Sequence, residues 1–190
     1  MSIEPDRIIT SLWILAGIVW AVGALTTKQT VRREHMATRV LQIGIMAVAF
    51  CLVFKERFRP GPLNAFFVQP TPLLEWVGVG LTAAGIGLAI LARVILGGNW
   101  SSSVTVKEDH KLIQSGPYAV VRHPIYTGLL LAMLGAAVAN GRVGALLGVA
   151  VAAVGLRVKS LVEEGFMEKE FGEEYADYKR RVKALIPLVW

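Results

Sequence analysis

Apolar side chains run through this chain in uninterrupted blocks, where a soluble helix would alternate a core-facing stripe with a solvent-facing one. Ile8 to Thr27 contains no charged side chain. Twenty residues at about 1.5 Å each cover roughly the 30 Å hydrocarbon core of a bilayer, which predicts a first transmembrane helix. A second apolar run between Arg39 and Lys55 reaches spanning length if Ala37 and Thr38 join it and the flanking cations snorkel. The third extends from Leu73 to Leu96, with Glu75 and Arg93 near its ends and glycines at 78, 80, 85 and 87. Glycine permits close helix approach, although this spacing cannot place all four on one face. Between the second and third runs, Pro60 to Pro72 holds four of the eight prolines, and their fixed φ predicts an irregular or re-entrant connector. Two shorter runs, Ile125 to Val138 and Val143 to Leu156, flank the turn signal Asn140-Gly141-Arg142. They predict a closing helical hairpin, each arm short for a perpendicular span.

The fold class that follows is all-α: one integral membrane domain over residues 1–190, polytopic, with about five transmembrane helices and an interfacial C-terminal helix. In that last segment Phe166, Phe171, Tyr175 and Tyr178 interleave with charges, as expected of aromatics at headgroup level. Composition agrees, with 54% hydrophobic and 18% charged residues. The N-terminus is acidic where a secretory signal would be basic, so the first apolar block is expected to stay in the mature protein. With the N-terminus outside, Lys28, Arg32, Arg33 and Arg39 fall at the first inner boundary and Lys55, Arg57 and Arg59 in the outer connector.

The net charge of +6 does not point to nucleic acid, because the cations flank apolar blocks and form no stripe with interleaved aromatics. Membrane lipid headgroups are the expected partners. The single cysteine, Cys51, excludes an intramolecular disulfide and a metal-thiolate cluster. No metal site is expected, since His-x-x-His and Cys-rich spacings are both missing.

Chemistry is therefore sought in two polar regions, 97–123 and 157 to the C-terminus. Two of three histidines and two of four tyrosines fall within residues 110–126, directly before an apolar helix. Pro124 suits a first helical turn, where its missing N–H costs nothing. That places His123 at a helix N-terminus, beside backbone donors suited to a carboxylate or phosphate. In the second region Lys159 and Glu163 share one helix face, as do Ser160 and Glu164. Carboxylates beside a membrane core are costly unless paired or used.

The ordered set Gly98-Asn99-Trp100, His110-x-Leu112-Ile113-x-x-Gly116-Pro117-Tyr118, Arg122-His123-Pro124-x-Tyr126-x-Gly128, Glu163-Glu164 and Phe171-Gly172-Glu173-Glu174-Tyr175-x-x-Tyr178 resembles the isoprenylcysteine carboxyl methyltransferase family. The resemblance covers roughly residues 93–187, which would form the cofactor-binding catalytic core. It implies a small helical membrane methyltransferase that holds S-adenosylmethionine without a Rossmann domain. Cofactor contacts are implied at His110, Lys111, Leu112, Ile113, Tyr118, His123, Pro124, Ile125, Tyr126 and Glu163. The acceptor would be lipid-like or prenylated, methylated at the cytosolic edge of what is expected to be a prokaryotic plasma membrane. Where the eukaryotic enzymes carry an arginine for the prenylcysteine carboxylate, this chain has Lys159, which neutralises a carboxylate without the bidentate fork. Lys159 is thus the expected tether for an anionic acceptor. Glu163 or Glu164 is the expected base for an amine or hydroxyl. An NADPH-dependent sterol or polyprenyl reductase shares the Arg-His-Pro-x-Tyr segment, but it would carry a late Arg-Asp and cysteine signature. A non-enzymatic scaffold would have no need of the clustered His, Tyr and Glu.

Overall fold

The structure, a computed structural model, describes residues 4–25, 30–33, 36–97, 105–107 and 112–186. Helices α1 (Pro5–Ala24), α2 (Met36–Phe54), α3 (Pro72–Leu96), α4 (Pro124–Asn140), α5 (Val143–Phe171) and α6 (Glu173–Arg181) account for most of it. A short antiparallel ribbon, β1 (Thr30–Arg33) with β2 (Thr105–Lys107), pairs Thr30 with Lys107 and Arg33 with Thr105. Helices α1, α2, α3 and α5 are long and apolar enough to cross a membrane, and α4 is a shorter apolar helix. Ile14, Ile18 and Val22 of α1 and Val40, Leu41 and Ile43 of α2 are exposed, as lipid-facing positions are.

The tightest packing is between α3 and α4, and glycine makes it possible. A Cβ at Gly85 would lie 2.4 Å from the Ala132 nitrogen and 2.5 Å from the Gly128 oxygen; one at Gly78 would lie 2.6 Å from the Gly135 oxygen. Gly78 and Gly85 thus oppose Gly135 and Gly128 along one antiparallel seam, and the Thr82 hydroxyl donates across it to the Ala132 carbonyl at 3.2 Å. Gly80 and Gly87 have nothing within 4 Å, so the four glycines do divide between two faces. Helix α2 packs on α5 in the same manner, with Gly148 against Leu52 and Val53 and Gly155 against Ile45 and Met46. Trp13 of α1 closes the far end of the bundle edge-on to Phe50 and Phe54.

Two sequence expectations change. The second arm of the closing hairpin does not stop at Leu156: α5 continues for 29 residues, roughly 43 Å at the helical rise, because no proline or turn signal follows the apolar block. Its last turns project beyond the hydrocarbon core and carry the second polar region on the same rod. The C-terminal segment is not one helix, since Gly172 at φ +50° breaks α5 from α6. Tyr175 and Tyr178 then turn inward, packing with Val182 against Leu112, Met167 and Phe171. Their rings are buried, where headgroup-level aromatics were expected. The proline-rich connector is irregular as expected, with two 3-10 turns, Glu56–Phe58 and Gly61–Asn64.

Candidate active site

Pro124 opens α4, and His123 is its N-cap residue. The chain before it is held by the C-terminal segment: the N–H of Arg122 donates to the Lys183 carbonyl at 2.8 Å and that of His123 to the Ala184 carbonyl at 3.0 Å. The Thr127 hydroxyl adds a bond to the Leu185 carbonyl at 2.6 Å. These contacts fix where the His123 side chain points before any ligand arrives.

The two sequence-adjacent carboxylates of α5 meet that histidine on both sides. His123 Nε2 lies 3.1 Å from Glu164 Oε1, and Nδ1 lies 3.4 Å from Glu163 Oε2. With an acceptor oxygen at each ring nitrogen, the geometry suits the imidazolium, in which both nitrogens donate. Burial alone would lower the His123 pKa, but the hydrogen bonds to Glu163 and Glu164 and their charges raise it above the ordinary value.

The carboxylates differ in surroundings. The Glu164 side chain is 1% exposed; Arg122 Nη2 lies 2.7 Å from its Oε1 and Lys179 Nζ 3.2 Å from its Oε2. The Arg122 guanidinium also donates to the carbonyls of Lys179 and Val182, so Glu164 joins α5, the α4 entrance and the C-terminal segment. The Glu163 side chain is 22% exposed. It accepts a hydrogen bond from the Tyr126 hydroxyl, whose ring stacks on His123 at 5.4 Å between centroids and 4° between planes. Lys159 Nζ lies 5.7 Å from the centre of the same tyrosine ring.

Five of the residues singled out in sequence therefore come together: His123, Tyr126, Lys159, Glu163 and Glu164. Others stand apart. The buried Tyr118 turns its hydroxyl to the Ala92 carbonyl of α3 at 3.3 Å, and its own carbonyl accepts from Tyr178 at 2.6 Å. Tyr126 of the site packs against the cluster that Tyr118 forms with Ala92 and Ile125. Ile113 and Ile125 pack beside Tyr118, Leu112 joins the Tyr175 and Tyr178 cluster, and Pro124 is buried. His110 and Lys111 lie outside the described residues. Arg122 stood in the sequence only as part of the Arg-His-Pro motif and Lys179 carried no role; the fold shows that both grip Glu164.

The comparisons with known proteins fall on this same region. The family model described as phospholipid methyltransferase matches residues 73–174, more than half of the chain and α3 to α5 save Pro72. The chain belongs to the phospholipid methyltransferase family. Among relatives of this methyltransferase is protein-S-isoprenylcysteine O-methyltransferase B of Arabidopsis thaliana, 25% identical over 185 residues, 95% of this chain and 87% of that one. Protein-S-isoprenylcysteine O-methyltransferase of Schizosaccharomyces pombe is 33% identical over 114 residues, covering 58% of this chain and 48% of the relative. The chain thus spans most of the plant protein but about half of the yeast one. The fold is shared with the eukaryotic intramembrane Ras methyltransferase, isoprenylcysteine carboxyl methyltransferase, at a TM-score of 0.56 and 19% identity, over 92% of this chain and 74% of that one. The likeness to isoprenylcysteine methyltransferases carried by the ordered motifs is borne out, and the reductase alternative is set aside.

Proposed function

We propose that this membrane methyltransferase transfers the methyl group of S-adenosylmethionine to a lipid-tailed acceptor with an anionic head, at the cytosolic edge of the bilayer. The observation that carries the reading is the convergence of His123, Tyr126, Lys159 and Glu163 where α4 begins and α5 leaves the hydrocarbon core. The names of the relatives support an oxygen acceptor on a prenylated molecule. The residues present fit a polar, partly charged cofactor: Glu163 keeps solvent contact and offers acceptor oxygens, while His123 and Tyr126 hold it in place. Such a cofactor supplies an electrophilic methyl group on a sulfonium, with a neutral thioether as leaving group.

The chain's own part is alignment and exclusion of water. A carboxylate acceptor is ionised at neutral pH and needs no base; Lys159 supplies its counter-charge beside the apolar span. Glu164 is a positioning residue in this reading, because its oxygens face Arg122, His123 and Lys179. Among the described residues, connectivity puts Arg7, Lys55, Arg57, Arg59 and Arg142 at the opposite end of the bundle and the other Lys and Arg residues at the site end. That asymmetry supports a cytosolic site. The test is titration calorimetry of purified protein with S-adenosylhomocysteine. His123→Ala, Tyr126→Ala and Glu163→Ala should each weaken binding about tenfold or more, as loss of a hydrogen bond to a charged group does. Unchanged affinity in all three folded variants would remove the site assignment.

A further inference from the structure

Among the buried polar side chains of the described membrane helices, Gln42 takes no part in the network above. Gln42 of α2 is 7% exposed, and its Nε2 has no hydrogen-bond partner among the described residues. A primary amide sealed inside a bundle at membrane depth is retained at a cost unless something accepts from it.

Its position shows what that acceptor faces. Residues 42, 46, 49 and 53 form one stripe of α2, and Met46, Ala49 and Val53 of that stripe pack in the bundle interior with Leu130 and Met133 of α4 and Ala152 of α5. Followed toward the site, the α4 stripe of Met133 and Leu130 reaches Tyr126. The α5 stripe of Ala152 reaches Lys159 and Glu163, seven and eleven residues on. The α2 stripe reaches Gln42. The close contacts fix the register independently: Gly148 meets Leu52 and Val53, and Gly155 meets Ile45 and Met46, so the next turn sets Gln42 opposite Lys159. Three helices therefore present Gln42, Tyr126 and the Lys159 and Glu163 pair to one internal level.

We infer that Gln42 is an acceptor-binding residue: its amide donates a hydrogen bond to an oxygen of a lipid-tailed carboxylate whose charge Lys159 neutralises. This deepens the proposed function and rests on it. A cation alone sets the sign of the head group. An amide donor fixed on a second helix also sets its direction, and so discriminates a carboxylate from a head of different shape. No bond is made or broken at Gln42.

The experiment uses the full chain in detergent, with N-acetyl-S-farnesyl-cysteine as the carboxylate probe and S-adenosylhomocysteine as the cofactor probe, on wild type, Gln42→Met and Gln42→Leu. If Gln42 binds the acceptor, both variants raise the KM for the probe about tenfold, the loss expected for one hydrogen bond to a charged group. Both should also keep S-adenosylhomocysteine affinity within twofold and unfold no earlier than wild type, since neither leaves an unpaired amide. An unchanged KM overturns the inference, as does a fall in cofactor affinity matching the rise in KM, which would assign Gln42 to the cofactor. Wild type that binds S-adenosylhomocysteine but does not methylate the probe overturns the acceptor assignment while methyl transfer stands. Wild type that binds no S-adenosylhomocysteine overturns both.

Discussion

Glu163 and Glu164 are joined by one peptide bond, yet Glu164 is the one sealed inside the fold. Glu164 is sealed against Arg122, whose side chain is 7% exposed, whereas Lys179 on its other oxygen is 42% exposed. Removing the charge from Glu164 strands a buried guanidinium, a change that costs about 3–5 kcal/mol. Loss of the solvent-screened Lys179 partner costs less than about 1 kcal/mol. Glu164→Gln should therefore lower the thermal unfolding temperature well below that of Lys179→Ala, and a ranking in the other order would deny Glu164 its positioning role. His123 adds a pH dependence of defined sign. Its pKa is raised in the fold, so the protonated ring contributes stability that is complete below the unfolded value of about 6.5 and is lost as pH rises through the folded value. Unfolding temperatures taken from pH 6 to pH 9 should fall in wild type and lose that component in His123→Gln. An identical slope in both would show that the imidazolium is not the stabilised form.

At the scale of elements, the glycine seam makes a prediction that separates two residues of the same type on the same helix. A methyl group at Gly85 meets the α4 backbone at 2.4 Å, whereas one at Gly87 meets nothing. Overpacking of this kind costs about 1–3 kcal/mol, while glycine to alanine in an open helical position gains roughly 1 kcal/mol. Gly85→Ala should lower the unfolding temperature in detergent and Gly87→Ala should hold or raise it; equal effects would contradict the α3 and α4 pairing. The helices themselves were legible because long uncharged blocks leave the backbone few other ways to satisfy its polar groups in lipid. The length of α5 was not, because the apolar signal ends at Leu156 while the helix continues through a charged sequence that no residue interrupts. The inward turn of Tyr175 and Tyr178 was hidden for a related reason: an amphipathic aromatic stripe looks the same whether lipid headgroups or Leu112 and Met167 cover it.

For the whole molecule, the legible part of the site was the part written in local motifs. His123, Tyr126, Glu163 and Lys159 announce themselves by spacing, but the grip of Lys179 on Glu164, the bonds from Arg122 and His123 to residues 183 and 184, and the level of Gln42 depend on which helices become neighbours. The same connectivity makes sidedness testable. An even number of crossings separates the N-terminus from the turn at Gly141, and an odd number separates it from α6. Arg57 in the connector and Lys169 and Glu174 near the site are exposed, so a cysteine at any of the three should react wherever reagent reaches it. In a Cys51→Ser background, a membrane-impermeant maleimide applied to intact cells should label position 57. It should reach positions 169 and 174 only after permeabilisation, because the far end holds few of the cations and the positive-rich end of a bundle stays inside. Labelling of 174 in intact cells with protection of 57 would invert the orientation. The proposed methyl donor is a cytosolic metabolite, and an inverted protein would present its His123 and Glu163 cluster to the compartment that lacks it.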